Sequence, residues 1–374
     1  MNEKRILQQI RNFERAIETY SGREPLARFL TSYYKQNKQM GSSDRRMTSR
    51  LCYNFLRIGD FAKDTSMEER IVYAEYLCEQ DSPIVALLRP DLYVSMGDSL
   101  ETKIAKVEAD TNLFFPFSGE FSDGINKEAF LQSQLVQPDL FIRIKKGKEG
   151  SVRKELGNRH IPFREISEGT LALPNGSRLQ DLSTIKGDYE VQDWSSQRTI
   201  DFIHAEKDER WWDACAGSGG KALLFLDRYP KTNLMVSDVR LSILRNLDER
   251  FEQAKIKNAY RKKIIDLTGD ISSVLGKETF DGIILDIPCS GSGTWGRTPE
   301  MKVQFSKEKL NTFAQLQQHI ISNVIAYLKP GKVLTYITCS VYKAGNEEVV
   351  NHITARHRLQ IKDMRILDGY REKA

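Results

Sequence analysis

The chain has 374 residues, of which 40% are hydrophobic and 29% are charged. At about 100–200 residues per domain, this length predicts two or three domains with separate cores. No apolar run approaches the ~20 residues that a membrane span needs, and the first residues lack the apolar stretch of a secretory signal. Five cysteines are spread over the chain without a CxxC pair, which argues against a disulfide framework and a zinc ribbon. We therefore expect a cytoplasmic protein with no metal and no membrane association.

Positive charge is concentrated in two segments. Residues 1–50 carry 11 Lys and Arg against 5 Asp and Glu, a surplus larger than the net charge of +5 of the whole chain. Residues 141–164 hold a second basic cluster, opposed only by Glu149 and Glu155. Its members are Arg143, Lys145, Lys146, Lys148, Arg153, Lys154, Arg159 and Arg164. Each segment is either a solvated face or a footprint for a polyanion, because clustered Lys and Arg neutralise phosphates and release counterions.

Within the first two hundred residues, the spacing of apolar side chains changes once. Residues 5–80 show the three- and four-residue spacing of apolar side chains that is typical of helices, and the acidic stretch 81–125 is expected to be mostly helical. Beyond it, short alternating segments such as 140–144 are separated by Gly and Pro turns. We predict an α-helical amino-terminal domain over 1–125, which would bind RNA, and a small α/β recognition module over 126–205.

After residue 205, apolar strand-like runs alternate with amphipathic helices, the pattern of a parallel sheet that is covered on both faces. The runs are 211–215, 234–239, 263–266, 282–287 and 333–338. Before the last run, an apolar stripe from Leu310 to Leu328 predicts a long helix that Pro330 and Gly331 stop. We predict an α/β fold, with a doubly wound, Rossmann-like domain over 206–374.

Ligands of doubly wound sheets bind beyond the carboxyl ends of the strands, so the residues that follow each run are the candidates for function. The first run is followed by a loop with three glycines that lacks the G-x-G-x-x-G spacing of a pyrophosphate cradle. The second ends at Asp238, where such folds hold a ribose diol. An ordinary turn and a solvated carboxylate are the structural alternatives for these two features.

Two cysteines follow the last two runs. Cys289 lies in the segment Asp286-Ile-Pro-Cys-Ser-Gly, and Cys339 lies between Thr338 and Ser340. A free cysteine is usually a small buried hydrophobe. Two cysteines at the ends of neighbouring strands, each followed by Ser, are harder to explain as packing residues alone, and they indicate a reactive pair.

These segments resemble the RNA (cytosine-5)-methyltransferases of the NOL1/NOP2/Sun family, whose bacterial members include the 16S ribosomal RNA methyltransferase B group. The similarity covers the loop after the first run, the Asp-x-Pro-Cys-Ser-Gly motif, and the Thr-Cys-Ser motif with its downstream Asn346-Glu347. Gln192-Asp193 begins a segment that resembles the family's Gln-Asp-x-x-Ser element. The resemblance is strongest over 191–350.

The resemblance implies S-adenosylmethionine as the cofactor. Asp238 would meet its ribose hydroxyls, Asp266 its adenine side, and Asp286 would also line the cofactor site. Asp270 follows the same run as Asp266 and stays an alternative, although Asp266 closes the apolar run. The loop that would meet the methionine part consists of Cys215, Ala216, Gly217, Ser218, Gly219, Gly220 and Lys221.

The resemblance also implies the catalytic roles. Cytosine C5 is a poor nucleophile until a thiolate adds to C6, and Cys339 matches the family's nucleophile. Asp286 would hold or protonate the base at N3, and Cys289 would assist release of the product. The implied partner is RNA, with ribosomal RNA favoured and transfer RNA as an alternative, and we expect a monomer.

Some residues depart from the family pattern. Gly217, Ser218 and Ala222 stand where the family commonly has Ala, Pro and Thr, which predicts a looser cofactor loop. These departures favour one alternative, a non-catalytic ribosome-assembly factor that retains the fold. A nucleotide-dependent oxidoreductase would need a dinucleotide fingerprint, and a DNA cytosine methyltransferase would leave the second cysteine without a role. Arg297 is a candidate phosphate or base contact, with a solvated arginine as its alternative.

Overall fold

The computed structural model describes residues 3–256 and 260–369. The helices are α1 (Glu3–Thr19), α2 (Leu26–Gln36), α3 (Ser42–Arg57), α4 (Met67–Cys78), α5 (Pro83–Leu88), α6 (Pro90–Tyr93), α7 (Leu100–Lys106), α8 (Lys127–Ser133), α9 (Glu149–Asn158), α10 (Trp194–Arg198), α11 (Gly220–Arg228), α12 (Leu241–Gln253), α13 (Ser272–Leu275), α14 (Glu300–Gln304), α15 (Lys307–Val324) and α16 (Glu347–His357). The strands are β1 (Leu140–Ile144), β2 (Arg164–Ser167), β3 (Thr170–Leu173), β4 (Tyr189–Val191), β5 (Arg210–Asp213), β6 (Asn233–Asp238), β7 (Arg261–Ile264), β8 (Phe280–Asp286) and β9 (Leu328–Ile337). No helix among these residues is long and apolar enough to cross a membrane.

The chain divides into two compact units. The helical unit comprises Met1–Gln137 and Ser292–Lys307, and the sheet unit comprises Pro138–Gly291 and Glu308–Ala374. The segment 292–307, which follows the first cysteine motif, is thus part of the helical unit. The finer division at residues 125 and 205 stays a prediction.

The helical unit is built from amphipathic helices around one apolar core. Phe13 of α1 and Phe55 of α3 pack with their ring centroids 5.3 Å apart, and α1 and α4 both pack on α3. The expected helical character is confirmed both for the first eighty residues and for the shorter helices that follow them.

Segment 292–307 is fixed within this unit by buried contacts. The Trp295 ring stacks on Phe115 with 5.2 Å between centroids, and Glu300 accepts a hydrogen bond of 3.0 Å from the Leu26 amide. The Lys302 ammonium is buried and donates to the Arg57 carbonyl over 3.0 Å. Burial, together with the nearby positive charge of Arg57, lowers the pKa of Lys302 to about 7.

The first part of the sheet unit is a four-stranded antiparallel sheet, here called the small sheet, with the strand order β2-β3-β1-β4. Leu140 pairs with Leu173 and Ile142 with Leu171, and α9 covers the sheet through Val152 and Leu156. The short α/β segments that the sequence predicted therefore form one layered structure.

The second part is a parallel five-stranded sheet with the order β7-β6-β5-β8-β9. Successive side chains of a strand point to opposite faces. Trp211 and Trp212 of β5 therefore enter the two separate cores that α11, α12 and α15 complete on either side of the sheet. Gly282 of neighbouring β8 makes room for the Trp211 ring, since an added Cβ would lie 2.4 Å from that ring.

One boundary differs from the expectation. Helix α15 ends at Val324, a short 3-10 turn follows, and Leu328 already begins β9. Pro330 and Gly331 therefore lie inside β9, where the pairing with β8 shifts register and Gly331 adopts a φ of 74°. The prediction that they stop the helix is wrong because the apolar positions continue from helix into strand without a break in the pattern.

We expect Gly282→Ala to lower the free energy of unfolding by about 1–3 kcal/mol, because the added methyl group must displace the buried Trp211 ring. Gly157→Ala is the matched control, since Gly157 lies in α9 with nothing near its added methyl group. The control should be neutral or slightly stabilising. Urea unfolding followed by tryptophan fluorescence measures both, and equal midpoints for the two variants would contradict the packing described here.

Candidate active site

The carboxyl ends of the parallel strands form one edge of the sheet. Strands β6 and β7 lie on one side of β5, whereas β8 and β9 lie on the other, so the strand order reverses between β5 and β8. Such a reversal opens a crevice at the carboxyl edge, because the connecting loops leave in opposite directions. The residues that follow β5, β6, β8 and β9 therefore define the candidate site.

The glycine-rich loop after β5 is fixed against the end of β6. The Ala216 amide donates to the Ser237 carbonyl over 2.9 Å, and the Gly217 amide donates to Oδ2 of Asp238 over 3.2 Å. Gly217 and Gly219 adopt φ values of 54° and 83°, which side chains rarely tolerate. The structure thus brings the predicted loop and the predicted carboxylate together.

Asp238 has a partner that the sequence analysis missed. The Arg240 guanidinium donates to both carboxylate oxygens, over 3.0 and 3.2 Å. Burial by itself raises the pKa of Asp238, but the hydrogen bonds from Arg240 outweigh burial and hold that pKa below its ordinary value. Asp238 is therefore a strong acceptor, and the exposed Arg240 side chain covers it. The only sign of this pair in the sequence is that an acid and a base lie two positions apart at the end of a strand.

Lys221 links the β5 loop to β8. Its Nζ donates to Oδ2 of Asp286 over 2.6 Å, and both side chains are shielded from most solvent. The predicted loop lysine and the predicted catalytic acid are therefore one ion pair. Because the ammonium lies in the loop and the carboxylate in the β8 end, the pair holds these two parts of the site together.

Asp213, the last residue of β5, is fully buried and was not among the predicted site residues. Among residues 3–256 and 260–369, neither of its carboxylate oxygens has a hydrogen-bond partner of standard geometry. Burial, with the nearby charge of Asp286, raises its pKa to about 8. A buried acid with a pKa raised in this way is mostly protonated at neutral pH, and a cationic group that enters the site would favour its ionised form.

The two predicted cysteines meet at the far side of the crevice. Sγ of Cys289 lies 3.4 Å from Sγ of Cys339; Cys289 is half-buried and Cys339 is exposed. The hydrogen bond from Cys339 lowers the pKa of the Cys289 thiol, and donating that bond raises the pKa of Cys339. Within the pair, the Cys289 thiol is therefore the first to lose its proton, and the second proton is held more tightly.

The loop that carries Cys339 is fixed by Asn346. The Asn346 side chain accepts a hydrogen bond from the Thr338 hydroxyl and donates to the Ser340 carbonyl over 2.9 Å. The Ser290 hydroxyl, which follows Cys289, donates to the Ser340 hydroxyl over 3.0 Å. The serines after the two cysteines thus bind each other, and the downstream asparagine sets the backbone around Cys339.

The carboxylates after β7 are both engaged in local turns. Asp266 accepts hydrogen bonds from the amide and the hydroxyl of Thr268, and Asp270 accepts the Ser272 amide at the start of α13. Asn323 of α15, which the sequence analysis missed, fixes this loop by donating to the Leu267 carbonyl over 2.8 Å. The preference for Asp266 over Asp270 at the cofactor stays a prediction.

Within the part of the chain that the structure describes, six of the eight members of the 141–164 basic cluster have a hydrogen-bond or ion-pair partner. Arg143 is buried and pairs with Asp227 of α11, and Lys145 donates to the Ala254 carbonyl beyond α12. These two residues fix the small sheet to the helices of the parallel sheet. The predicted RNA contact from this cluster therefore depends on those of its members that are exposed.

The candidate RNA contact Arg297 lies in segment 292–307 of the helical unit.

A parallel sheet of this kind, with a glycine-rich loop after its first strand, is a Rossmann-like fold. Residues 201–372 match the family model described as 16S rRNA methyltransferase RsmB/F. The resemblance that the two cysteine motifs indicated is thus confirmed over this part of the chain. Among the described residues, no group of three or more His, Cys, Asp or Glu is placed to hold a metal ion.

Named relatives agree with this family. The chain is 34% identical over 246 residues to ribosomal RNA small subunit methyltransferase B of Xylella fastidiosa Temecula1, covering 62% of this chain and 54% of that protein. The protein of the same name from Cronobacter sakazakii is 32% identical over 169 residues, covering 44% of this chain and 38% of that protein. The chain thus spans only about half, or less, of the length of these relatives.

Solved structures confirm the fold. PH0851 superposes with a TM-score of 0.69 at 19% identity and covers 93% of this chain and 89% of its own. NSun6 from Pyrococcus horikoshii, crystallised with SFG, gives a TM-score of 0.56 at 15% identity, covering 64% of this chain and 86% of its own.

We expect an alkylating reagent at pH 7 to modify Cys289 faster than Cys339, because the hydrogen bond from Cys339 lowers the pKa of Cys289. Cys339→Ala removes that donor and should slow modification of Cys289 by about tenfold for each pKa unit regained. Burial raises the pKa of Cys52 and Cys78 to about 12, so both are internal controls that stay unmodified. Peptide mass spectrometry measures the rates. Faster modification of Cys339 in the unsubstituted protein would contradict the described hydrogen bond.

Proposed function

We propose that this protein is an S-adenosylmethionine-dependent RNA (cytosine-5)-methyltransferase that acts on ribosomal RNA. The single observation that carries the proposal is the pair of thiols 3.4 Å apart beyond β8 and β9. A methyl transfer to cytosine C5 needs both a nucleophile for C6 and an acceptor for the C5 proton, and two adjacent thiols can supply both. The family match and the names of the relatives support the same reaction.

The residues of the β5 and β6 ends fit this cofactor. When bound, S-adenosylmethionine supplies the electrophilic methyl group. The buried Asp213 side chain would accept its ammonium group, whose positive charge favours the ionised form of this acid. Asp238 would bind its ribose hydroxyls after Arg240 moves aside, the loop from Cys215 to Lys221 would meet its methionine part, and Asp266 its adenine side.

Cys339 is the nucleophile in this proposal, and Cys289 first serves as its base. In the pair with one negative charge, the shared proton moves from Cys339 to the Cys289 thiolate as Cys339 attacks C6. Cys289 then loses this proton to water before the C5 proton is removed. The Sγ–C6 bond forms as the C5=C6 electron pair moves to C5, which becomes the carbon that takes the methyl group. The exposed position of Cys339 supports attack on a base that enters from solution.

Cys289 also completes the reaction. The Cys289 thiolate removes the C5 proton, the electron pair restores the C5=C6 bond, and the Cys339 thiolate leaves. Asp286, which pairs with Lys221, would hold the base or protonate it at N3 while the adduct exists. Lys221 keeps this carboxylate in place and offsets its charge.

The proposed substrate is a cytosine that is unpaired or flipped from its stack, because the thiols reach C6 only outside a helical stack. The basic residues of α1 to α3 and the exposed members of the 141–164 cluster would neutralise its phosphates. Ribosomal RNA is favoured by the names of the relatives, and transfer RNA is the alternative. A monomer in the cytoplasm completes the proposal.

We expect Cys289→Ala to accumulate a covalent protein–RNA adduct when incubated with S-adenosylmethionine and ribosomal RNA, because addition proceeds while removal of the C5 proton fails. The adduct should form faster as the pH rises, since Cys339 must then lose its proton to solvent. Denaturing electrophoresis with labelled RNA detects it, and digestion followed by mass spectrometry locates the bond.

Cys339→Ala is the matched control and should give neither adduct nor product. Normal turnover by Cys289→Ala, or an adduct that persists without Cys339, would contradict the assigned roles. RNA binding by the unsubstituted protein without any methyl transfer would instead favour the non-catalytic assembly factor.

A further inference from the structure

The cofactor loop of this chain lacks a restraint that similar proteins have. Ser218 stands where the family commonly has proline, and it lies between two glycines with positive φ, Gly217 and Gly219. Proline lowers the number of backbone conformations that a loop samples, and glycine raises it. This loop therefore needs another source of order if it is to hold one conformation around a ligand.

Helix α12 packs directly on the loop. An added Cβ on Gly219 would lie 2.8 Å from the Leu247 side chain and 2.9 Å from the Phe251 ring. One turn along the same face, Nη1 of Arg250 donates to the Ser218 carbonyl over 3.1 Å and to its hydroxyl over 2.9 Å. The residue that replaces proline is thus bound twice by one guanidinium.

The other side of this guanidinium binds the small sheet. Nη2 and Nε of Arg250 donate to Oε2 of Glu190 in β4, over 2.7 and 3.2 Å. The Glu190 side chain is only 10% exposed and that of Arg250 only 25% exposed. Ion pairs that are largely shielded from water constrain geometry more strongly than surface pairs do, and the planar guanidinium fixes the direction of every donor.

The small sheet is itself anchored to the same helices. Arg143 of β1 pairs with Asp227 of α11, and the backbone at Gly187 approaches the end of α12 so closely that an added Cβ would lie 1.9 Å from the Gln253 carbonyl oxygen. Glu190 is therefore held by a rigid neighbour. A carboxylate fixed in this way can orient Arg250, which in turn orients Ser218.

We propose that Glu190 and Arg250 are positioning residues that hold the cofactor loop in its binding conformation through Ser218. This inference rests on the proposed function, because it takes the loop to bind S-adenosylmethionine. The hydrogen bonds from Arg250, which Glu190 of the small sheet orients, thereby restrict this loop as a proline restricts it in similar proteins. The small sheet then contributes to cofactor affinity without touching the cofactor.

The test measures cofactor affinity and turnover separately. Arg250→Met keeps the bulk of the side chain and should raise the Kd and the KM for S-adenosylmethionine about tenfold, as expected if the competent loop falls to a tenth of the population. The kcat at saturating cofactor should change less than twofold. Glu190→Gln should raise the Kd in the same direction by a smaller factor, and Arg250→Lys should recover part of the affinity.

Asp248→Asn is the matched control. Asp248 lies on the same helix two residues earlier, where it pairs with Lys262 and accepts a hydrogen bond from the Tyr260 hydroxyl. Its substitution should leave the Kd unchanged. The substitution Ser218→Pro restores the family's proline and leaves Gly217 with its positive φ, and in that background Arg250→Met should raise the Kd less than twofold.

Calorimetric titration with S-adenosylmethionine distinguishes the outcomes. An Arg250→Met protein with a lowered Tm but an unchanged Kd would overturn the positioning role, because the ion pair would then be only structural. An unsubstituted protein that fails to bind S-adenosylmethionine would overturn the proposed function, and the inference with it. A raised Kd for Arg250→Met alone, with Asp248→Asn unchanged, supports the inference.

Discussion

The parallel pairing of β8 with β9 sets the distance between the two thiols, and the site depends on it. Asp286 pairs with Ile337, and the Ile287 amide donates to the Ile337 carbonyl over 3.1 Å just beyond the strands. Cys289 and Cys339 follow this last paired position within three residues on each strand. A slip of one residue would move one thiol by about 3.3 Å and reverse the faces of its strand, which would break their hydrogen bond.

Ties between neighbouring strand ends make this edge a single site. Lys221 binds the β5 loop to the β8 end through Asp286, and the Gly217 amide binds the same loop to Asp238 of β6. Asn346 then orders the backbone around Cys339. The loop beside the proposed cofactor site and the residues beside the proposed base site share one ion pair.

Local patterns sufficed to predict the strand ends. Strands β6 and β8 are short apolar runs that end at Asp238 and Asp286, and the cysteine motifs follow β8 and β9, so the sequence alone brought these residues to one edge. The small sheet was likewise visible in the alternation around residues 140–144. The helix boundary at Val324 was not visible, because apolar residues continue into β9.

The missed residues depend on contacts between distant segments. Arg250 lies 32 positions from Ser218 and 60 from Glu190, and no local pattern joins them. Asp213 looks like an ordinary strand end until the surrounding strands and loop bury it. The basic cluster also looked uniformly exposed, whereas the fold uses Arg143 internally because Asp227 of α11 lies beside it. The surroundings of these residues are set by contacts between segments that lie far apart in the sequence.

The most direct test of the account is the identity of the methylated nucleoside. The protein is incubated with S-adenosylmethionine that carries a labelled methyl group and with ribosomal RNA from a strain that lacks this gene, and the RNA is then digested to nucleosides. The account predicts that the label appears as 5-methylcytidine. Label in any other nucleoside, or no label on naked RNA, small subunits or transfer RNA despite measurable RNA binding, would contradict it.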